Sequence, residues 1–522
     1  MARLRAREQD AVAGLVLGLA WLAAYVPHFD RGGFYSDDWS FAAIYEDGAR
    51  DGFSGGLSAL LDVSSSRPVG TLYAAVRYDL FGNDPTGHMV VAGLLWLLVI
   101  LLFFALLRLL RLAPLHAGGI ALLALLFPLA DSTRLWPAAS ALNLGIALYL
   151  AGTLLALAGL GRTGPRSAAM HAVAVALYVA SVLTYEVTMV AVLLSFALYR
   201  SRADWRRALA RWSVDVGAIA AVLLLATTQS TVEREPITAL PGRVAEVTAG
   251  ALSVVSWAVV PLGNTTQLSA ARVLGGLLVL VVVAAALRLA VDGERGAAVR
   301  RWLAVAAGGV VATVAGYVVL LPVRGYNPAH RGIANRLNVF SSLGISALVF
   351  SLAMLAAILL VWKRGPRAST VVGVGLAAVL AAGYAIRLRS DEVHWHDAAV
   401  DQRRVLDTIR GSPRLPADGR FVAFQVPAFT APGVPVFHET WDLTGALQLL
   451  WDDYSLQAYP ANNGRVVVCR RAGPYVLAGG ATRLPYGRTR FFGARTGRSR
   501  RIGSRADCER SMRAVLGSRR QG

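Results

Sequence analysis

Residues 337–362 read LNVFSSLGISALVFSLAMLAAILLVW, a run without a single Asp, Glu, Lys or Arg. A helix of this length extends about 39 Å at 1.5 Å per residue, and the hydrocarbon core of a bilayer is about 30 Å thick. Residues 89–107 and 302–321 form similar uncharged runs. The sequence therefore predicts a polytopic α-helical membrane protein.

The composition of the whole chain supports this prediction. Of its 522 residues, 55% are hydrophobic and 16% are charged, whereas soluble domains carry roughly 25% charged residues. Hydropathy predicts about eleven transmembrane helices. They lie near residues 11–27, 87–107, 114–130, 137–160, 169–185, 187–199, 214–229, 273–288, 302–321, 337–362 and 370–387. The first is taken as an uncleaved span, because no small-residue cleavage site follows it.

The arginines predict the orientation of these spans. The net charge is +20, and Lys363 is the only lysine. Basic residues fall on alternate connections, which indicates a cytoplasmic face and hence a multi-pass protein of the cytoplasmic membrane with its N-terminus inside. These connections are 3–7, 108–111, 162–166, 200–211, 288–301 and 363–367. This count needs residues 169–199 to form two short helices around Glu186, because Arg162 and Arg200 then lie on the same side of the membrane. The alternative is one long tilted helix, which would change the number of crossings.

Three parts are predicted along the chain: a membrane domain (1–388) with an external loop (28–86), a small external α+β domain (389–485), and an arginine-rich tail (486–522). Fourteen arginines follow from residue 470; they could contact anionic lipids or envelope polymers, or simply be solvated. No nucleic-acid motif accompanies them, so nucleic acid is not an expected partner. Cys469 and Cys508 both fall outside, where a disulfide is permitted, but spacing leaves their pairing open.

The candidate chemistry lies just after the first span, where residues 34–39 read FYSDDW. Two adjacent carboxylates on a loop are typical of a solvated turn or a helix cap. Asp37 or Asp38 could equally take a proton from a hydroxyl group. Farther along the same loop come SRPV (66–69) and YDLFGNDPTGH (78–88), which lead into the second span.

This loop resembles the first external loop of the GT-C superfamily, the polytopic glycosyltransferases that use polyprenyl-phosphate sugars. It is most similar to the branch related to protein O-mannosyltransferases with tetratricopeptide repeats. Residues 127–136, 181–186 and 335–342 resemble later external turns of that branch, with departures at Phe127, Tyr185, Asn335, Leu337 and Ser341. The resemblance covers residues 10–390 and implies a GT-C-like membrane domain. No tetratricopeptide period follows it, so that branch's acceptor is not inferred.

The resemblance implies an enzyme that moves a sugar, with inversion, from a polyprenyl-phosphate donor to an extracytoplasmic envelope glycan, lipid or protein. Asp37, the first acidic residue of the motif, is the favoured base. Asp38 would orient the acceptor, or the two would bind a divalent cation such as Mg²⁺ or Mn²⁺. The remaining candidate donor-phosphate and substrate ligands are Arg336, Arg67, Arg134, Glu186 and His88.

Each of these residues also has a structural interpretation. Arg336, the preferred phosphate ligand, could snorkel to lipid head groups, Glu186 could form an ion pair, and His88 could cap a span. Two other functions compete with the enzyme: a transporter or lipid flippase, and a noncatalytic envelope-assembly scaffold. Charges gather at the external helix ends and no repeated halves are visible, which favours the enzyme over the transporter.

Overall fold

The structure is a computed structural model that describes residues 2–227, 234–261, 281–288, 293–462, 464–477 and 481–516, with the single residues 279 and 290. Most of the chain up to Arg410 is helical. The α-helices of this part are α1 (Ala2–Phe29), α2 (Asp37–Gly48), α3 (Phe53–Ser64), α4 (Pro68–Phe81), α5 (Pro85–Leu109), α6 (Pro114–Leu125), α7 (Ser132–Leu135), α8 (Ser140–Leu160), α9 (Pro165–Thr184), α10 (Met189–Leu193), α11 (Ser195–Arg200), α12 (Trp205–Thr227), α13 (Leu240–Val259), α14 (Gly293–Val318), α15 (Val339–Val361) and α16 (Pro366–Arg410). Short 3₁₀ turns connect them at Ala49–Asp51, Pro128–Ala130, Glu186–Thr188, Ile237–Ala239, Gly332–Asn338 and Trp362–Arg364.

Within the described ranges, seven helices are long and apolar enough to cross a membrane: α1, α5, α8, α9, α14, α15 and α16. The polytopic helical fold is thus confirmed, but the predicted number of eleven spans is not. Other predicted spans coincide with shorter helices, since α6 has only 12 residues and residues 187–199 divide into α10 and α11. The span predicted at 273–288 lies partly outside the described residues, and its end, 281–288, is helical.

Local sequence explains where these helices begin and how they pack. Six of the described α-helices have proline in their first turn, where the missing N–H costs no hydrogen bond: α4, α5, α6, α9, α13 and α16. Helices α14 and α15 approach at Gly309 and Gly344, where a Cβ on Gly344 would lie 2.5 Å from the Gly309 carbonyl oxygen. Small residues of this kind let helix backbones come close within a membrane.

The predicted break in residues 169–199 is present. Helix α9 ends at Thr184, and Tyr185 adopts an extended conformation with φ −165°. Several connections predicted to be cytoplasmic also meet at one end of the bundle, where Arg301 Nη2 donates to the Arg111 carbonyl oxygen at 3.4 Å and Arg207 contacts the Arg162 carbonyl oxygen. Which end faces the cytoplasm stays a prediction.

Helix α16 does not end where the apolar residues end. The sequence places the start of the external domain at residue 389, but α16 continues without a break to Arg410. No proline or glycine interrupts residues 384–410, and ion pairs along the helix support it, including Arg387–Asp391 at 2.9 Å and Arg389–Glu392 at 2.7 Å. The globular part of the C-terminal domain therefore begins after Arg410.

This domain is built on a four-stranded sheet of order β4-β1-β8-β9, in which β1 is parallel to β4 and β8, and β9 is antiparallel to β8. The remaining strands form a pair, β2–β3, and a three-stranded sheet, β5–β6–β7. The strands are β1 (Arg420–Phe424), β2 (Phe429–Ala431), β3 (Val434–Pro435), β4 (Gln457–Ala461), β5 (Val466–Arg470), β6 (Gly473–Leu477), β7 (Ala481–Arg483), β8 (Thr489–Gly493) and β9 (Ser499–Ile502). Helices α17 (Thr440–Trp451) and α18 (Arg505–Leu516) complete the α+β domain.

The arginine-rich segment from residue 486 is folded rather than a tail as far as Leu516. It supplies β8, β9 and α18, and a disulfide between Cys469 and Cys508 joins β5 to α18. Phe491, Phe492 and Ile502 are fully buried between the arginines. Buried apolar side chains therefore alternate with arginines along these strands, and the number of arginines alone does not reveal this pattern. Residues 517–522 lie outside the described part of the chain.

Candidate active site

The FYSDDW segment forms a tight turn between α1 and α2. Phe34 and Tyr35 are buried, and the Tyr35 hydroxyl donates to the Trp395 carbonyl oxygen of α16 at 2.7 Å. Ser36 has φ 47° and ψ −115°, a strained backbone conformation for a residue with a side chain, and such strain often accompanies functional sites. The turn thus fixes the position at which α2 begins with the two aspartates.

The two carboxylates lie in different environments. Asp38 is fully buried, and its Oδ2 accepts from the Tyr35 backbone N–H at 3.0 Å. Burial raises the pKa of Asp38 to about 8, although the Tyr35 N–H and the Arg77 guanidinium both act to lower it. Asp37 is half-buried and lines a cleft, and its Oδ1 accepts from Trp441 Nε1 at 3.0 Å. Asp37 is therefore the carboxylate that a substrate can reach.

The cleft brings together residues from distant parts of the sequence. Its volume is about 150 Å³, several times the roughly 30 Å³ that one water occupies in the liquid. Asp37, Arg67 and Arg336 line it together, as the sequence predicts for a base and two phosphate ligands. Other lining residues are Phe41, Ser64, Tyr73, Arg77, Trp136, Leu142, Thr184, Tyr185 and Tyr326.

Arg67 is held on two sides. Its Nε and Nη2 donate to the two carboxylate oxygens of Glu186 at 3.2 and 3.0 Å. Its guanidinium lies over the ring of Tyr185, 3.8 Å from the centroid. Glu186 thus forms the ion pair of its structural interpretation, and this pair orients Arg67. Tyr185, which replaces the lysine expected from the resemblance, supplies the ring on which the arginine rests.

Arg336 is held less tightly. Its guanidinium lies 5.2 Å from the centroid of Trp136 and 5.8 Å from that of Tyr326. One nitrogen, Nη1, donates to the Ile333 carbonyl oxygen at 2.7 Å. The side chain is half-buried and points into the cleft rather than along the outside of the bundle. This placement favours a ligand over lipid snorkelling.

The structure does not bring Arg134 or His88 to the cleft. Arg134 is 1% exposed, donates to the Phe127 carbonyl oxygen at 2.6 Å and lies over the Trp96 ring at 4.7 Å. His88 is buried against the rings of Phe34 and Tyr78, and its Nε2 is 3.0 Å from the Gly82 carbonyl oxygen. In both cases the contacts are those of a structural residue.

Two residues that the sequence did not single out belong to this site. Arg77 lines the cleft, donates to the Pro137 carbonyl oxygen at 3.1 Å and lies over the Tyr73 ring at 4.6 Å. An arginine directly after the uncharged stretch LYAAV (72–76) of α4 was an available signal for it. Trp441 had none, because only the fold brings the C-terminal domain to Asp37.

The carboxylates do not fit a divalent cation. Mg²⁺ is bound by ionised carboxylates in an octahedral arrangement, whereas burial favours the protonated form of Asp38. Asp37 already accepts from an indole N–H, and the other ionisable neighbours in the cleft are mainly arginines and tyrosines. Among the described residues no group of three or more His, Cys, Asp or Glu side chains is placed to hold a metal.

A second cavity, of about 310 Å³, adjoins the cleft and shares Arg67, Leu142, Tyr185 and Tyr326 with it. Its remaining lining is mostly apolar. These residues are Val187, Met189, Leu223, Val319, Leu320, Pro322, Val323 and Leu337, together with Glu186 and Arg234. A polar cleft thus continues into an apolar groove between helices, and Arg67 stands where they meet.

No family model matches the chain, and no curated protein matches it. The solved structures that are similar to the chain include the following two. One is the Archaeoglobus fulgidus oligosaccharyltransferase tethered to an acceptor peptide with the NVT sequon, at 11% identity and a TM-score of 0.44 over 87% of this chain; the chain spans 64% of that protein's length. The other is ArnT from Cupriavidus metallidurans bound to undecaprenyl phosphate, at 14% identity and a TM-score of 0.34, over 84% of this chain and 87% of that one.

With TM-scores below 0.5, these two matches establish neither an activity nor a substrate for this chain, and the function is argued below from its own residues.

Proposed function

We propose that the chain is a glycosyltransferase of the cytoplasmic membrane that moves a sugar from a polyprenyl-phosphate donor to a hydroxyl of an extracytoplasmic envelope acceptor. The observation that carries this proposal is the cleft itself. It combines one accessible carboxylate, Asp37, with two arginines, Arg67 and Arg336, and it opens into an apolar groove. A sugar phosphate on a long isoprenoid chain has the complementary groups, because its phosphate is an anion that arginines bind and its chain is apolar.

In the proposed reaction the acceptor oxygen attacks the anomeric carbon while the bond from that carbon to the phosphate oxygen breaks. The hydroxyl proton passes to Asp37, which acts as general base. Such a base typically contributes about 10²–10⁴-fold to the rate. Attack from the side opposite the phosphate inverts the configuration at the anomeric carbon, and no covalent enzyme intermediate forms.

The leaving polyprenyl phosphate gains negative charge, which Arg67 and Arg336 would stabilise. Hydrogen-bond donors that are already oriented need little reorganisation when the negative charge develops on the phosphate. Arg67 is oriented in this way by Glu186 and Tyr185. The isoprenoid chain would occupy the apolar groove, where burial is worth roughly 25 cal/mol per Å² of apolar surface. The external face of the membrane is the proposed location of both substrates.

The test is a transfer assay with purified protein, polyprenyl-phosphate hexoses and pentoses as donors, and an envelope extract as acceptor. Released polyprenyl phosphate is measured. We expect Asp37→Asn to lower turnover by about 10²–10⁴-fold while the thermal unfolding temperature stays close to that of the wild type. The matched control is Asp62→Asn, which alters an exposed carboxylate of the same segment and should keep full turnover. Near-wild-type turnover of Asp37→Asn would make this carboxylate structural, whereas absence of any transfer by the wild-type protein would favour the transporter or the scaffold.

A further inference from the structure

The C-terminal domain contributes a side chain to the candidate site. Helix α17 packs directly against α2, and a Cβ on Gly445 would collide with the Trp39 carbonyl oxygen. Trp441 precedes Gly445 by four residues, so the two lie on the same face of α17. That face meets the beginning of α2, where Trp441 Nε1 donates to Asp37 Oδ1 at 3.0 Å.

The position of Trp441 is fixed by the start of its helix. Glu439 and Asp442 form a capping box around it, in which each side chain accepts from the other residue's backbone N–H. Asp442 is fully buried and also accepts from the His438 backbone N–H at 2.9 Å. Arg465 in turn pairs with Glu439. Trp441 therefore stands on a rigid support rather than on a loose loop.

The indole is nevertheless 48% exposed. A tryptophan joins a large apolar face to one polar N–H, and such side chains commonly serve at binding surfaces where one edge is fixed. Here the N–H is engaged by Asp37 while much of the ring is open beside the proposed base. Another partly exposed aromatic, Phe429, packs on His438 with ring centroids 5.1 Å apart, at the same end of α17.

We propose that Trp441 is a positioning residue for Asp37 and also the platform on which the acceptor lies, and that the acceptor is a glycan. This inference rests on the proposed function. The hydrogen bond to Oδ1 holds the carboxylate in one orientation and leaves Oδ2 to take the proton. The C–H face of a sugar ring packs well on an open indole, which would place an acceptor hydroxyl next to Asp37. The C-terminal domain is thereby part of the acceptor site.

Two substitutions separate the two roles of Trp441. Trp441→Phe keeps an aromatic face but removes the N–H donor, and Trp441→Ala removes both. Transfer is measured with octyl hexosides and octyl pentosides as acceptors, and in parallel with a peptide that contains serine and threonine. Trp205→Phe and Trp205→Ala are the matched controls, since Trp205 is 56% exposed at the start of α12.

We expect Trp441→Phe to lower kcat about tenfold with the glycoside KM within about twofold, because only a hydrogen bond to a charged group is lost. Trp441→Ala should show the same fall in kcat and, in addition, a glycoside KM raised about tenfold. A residue with a merely structural role would not divide its effects in this way. Both Trp205 controls should behave as wild type.

Other outcomes overturn the proposal. If Trp441→Ala transfers to glycosides as the wild type does, Trp441 has neither role, while the proposed function stands. If only the peptide is an acceptor and its KM depends on Trp441, the glycan assignment is wrong. If wild-type protein neither transfers nor hydrolyses any polyprenyl-phosphate sugar, the proposed function itself has failed, and this inference fails with it.

Discussion

Two groups of carboxylates and arginines lie near one another in this protein, and both come from segments that resemble GT-C turns. In the cleft, Asp37 and Arg336 are half-buried beside open space. In the neighbouring cluster, Asp131 and Arg134 are each 1% exposed, and Asn335 donates to Asp131 Oδ1 at 2.5 Å. The residue types are the same in both groups. Access to substrate therefore separates the candidate site from the structural cluster.

The buried cluster holds the turns that shape the cleft. Asn335 accepts at its Oδ1 from the Ser132 backbone N–H and hydroxyl, at 3.1 and 2.6 Å. It thus ties the short helix α7 to the turn that carries Arg336. Burial raises the pKa of Asp131 to about 7, and the charge of Asp391 acts in the same direction. The charge of Arg134 acts in the opposite direction and lowers the pKa of Asp131. The arginine therefore favours the ionised form of this buried carboxylate.

The largest expected effect on stability is at Arg134. Truncating a large buried side chain to alanine usually costs about 2–5 kcal/mol, and Arg134→Ala also leaves the buried Phe127 carbonyl oxygen without its donor, so the variant should lower the unfolding temperature strongly. Thermal unfolding of the purified protein measures this loss. Asp37→Asn, made in the cleft, serves as the comparison and should change stability by less than about 0.5 kcal/mol. Equal unfolding temperatures of the two variants would mean that Arg134 contributes no more to stability than Asp37 does.

An intermediate effect is expected at Arg336. Arg336→Ala removes a charge-assisted contact worth about 1.5–3 kcal/mol, which is about tenfold or more in donor affinity. Arg336→Lys should restore only part of it, because an ammonium lacks the planar fork of a guanidinium. Affinity for a polyprenyl-phosphate sugar is measured directly, with Arg500→Ala, an exposed arginine of β9, as control. Unchanged donor affinity in Arg336→Ala would mean that Arg336 does not bind the phosphate, and would favour the interpretation that it snorkels to lipid head groups.

The sequence predicted what depends on local pattern. Uncharged runs located the long helices, and short motifs identified Asp37, Arg67 and Arg336, which the fold then brings to one cleft. Burial was harder to foresee: Arg134 matched a motif as well as Arg336 did, and only packing shows that it is enclosed.

Other features depended on contacts between distant segments. The sequence predicts a tail at residues 486–522 because arginine is frequent there, yet β8 lies between β1 and β9 in the central sheet. Helix α16 continues past the last apolar run because buried side chains of its later turns, such as Trp395 and Ile409, pack in the core, and ion pairs within the helix add support. The contact between Trp441 and Asp37 joins the two domains, and no local pattern reports such a contact.

The last comparison sets Asp38 beside Asp37, and its effect on stability is spread over several pH units. Burial raises the pKa of Asp38 to about 8, whereas an aspartate in an unfolded chain titrates near about 3.9. The folded state therefore keeps a proton that the unfolded state has released. The stability that this proton gives is fully present below about pH 4 and is lost as the pH rises through about 8, by at most about 1.4 kcal/mol per pH unit.

Asp38→Asn cannot ionise, and its amide oxygen can still accept from the Tyr35 N–H. The variant should therefore gain stability relative to the wild type as the pH is raised from 5 to 8, while its turnover stays within a few-fold of normal. Unfolding temperatures across this range measure the effect, and Asp62→Asn corrects for an exposed carboxylate. Parallel curves for the wild type and Asp38→Asn would mean that Asp38 is ionised in the folded protein, and that the contrast between the two neighbouring carboxylates is smaller than their burial indicates.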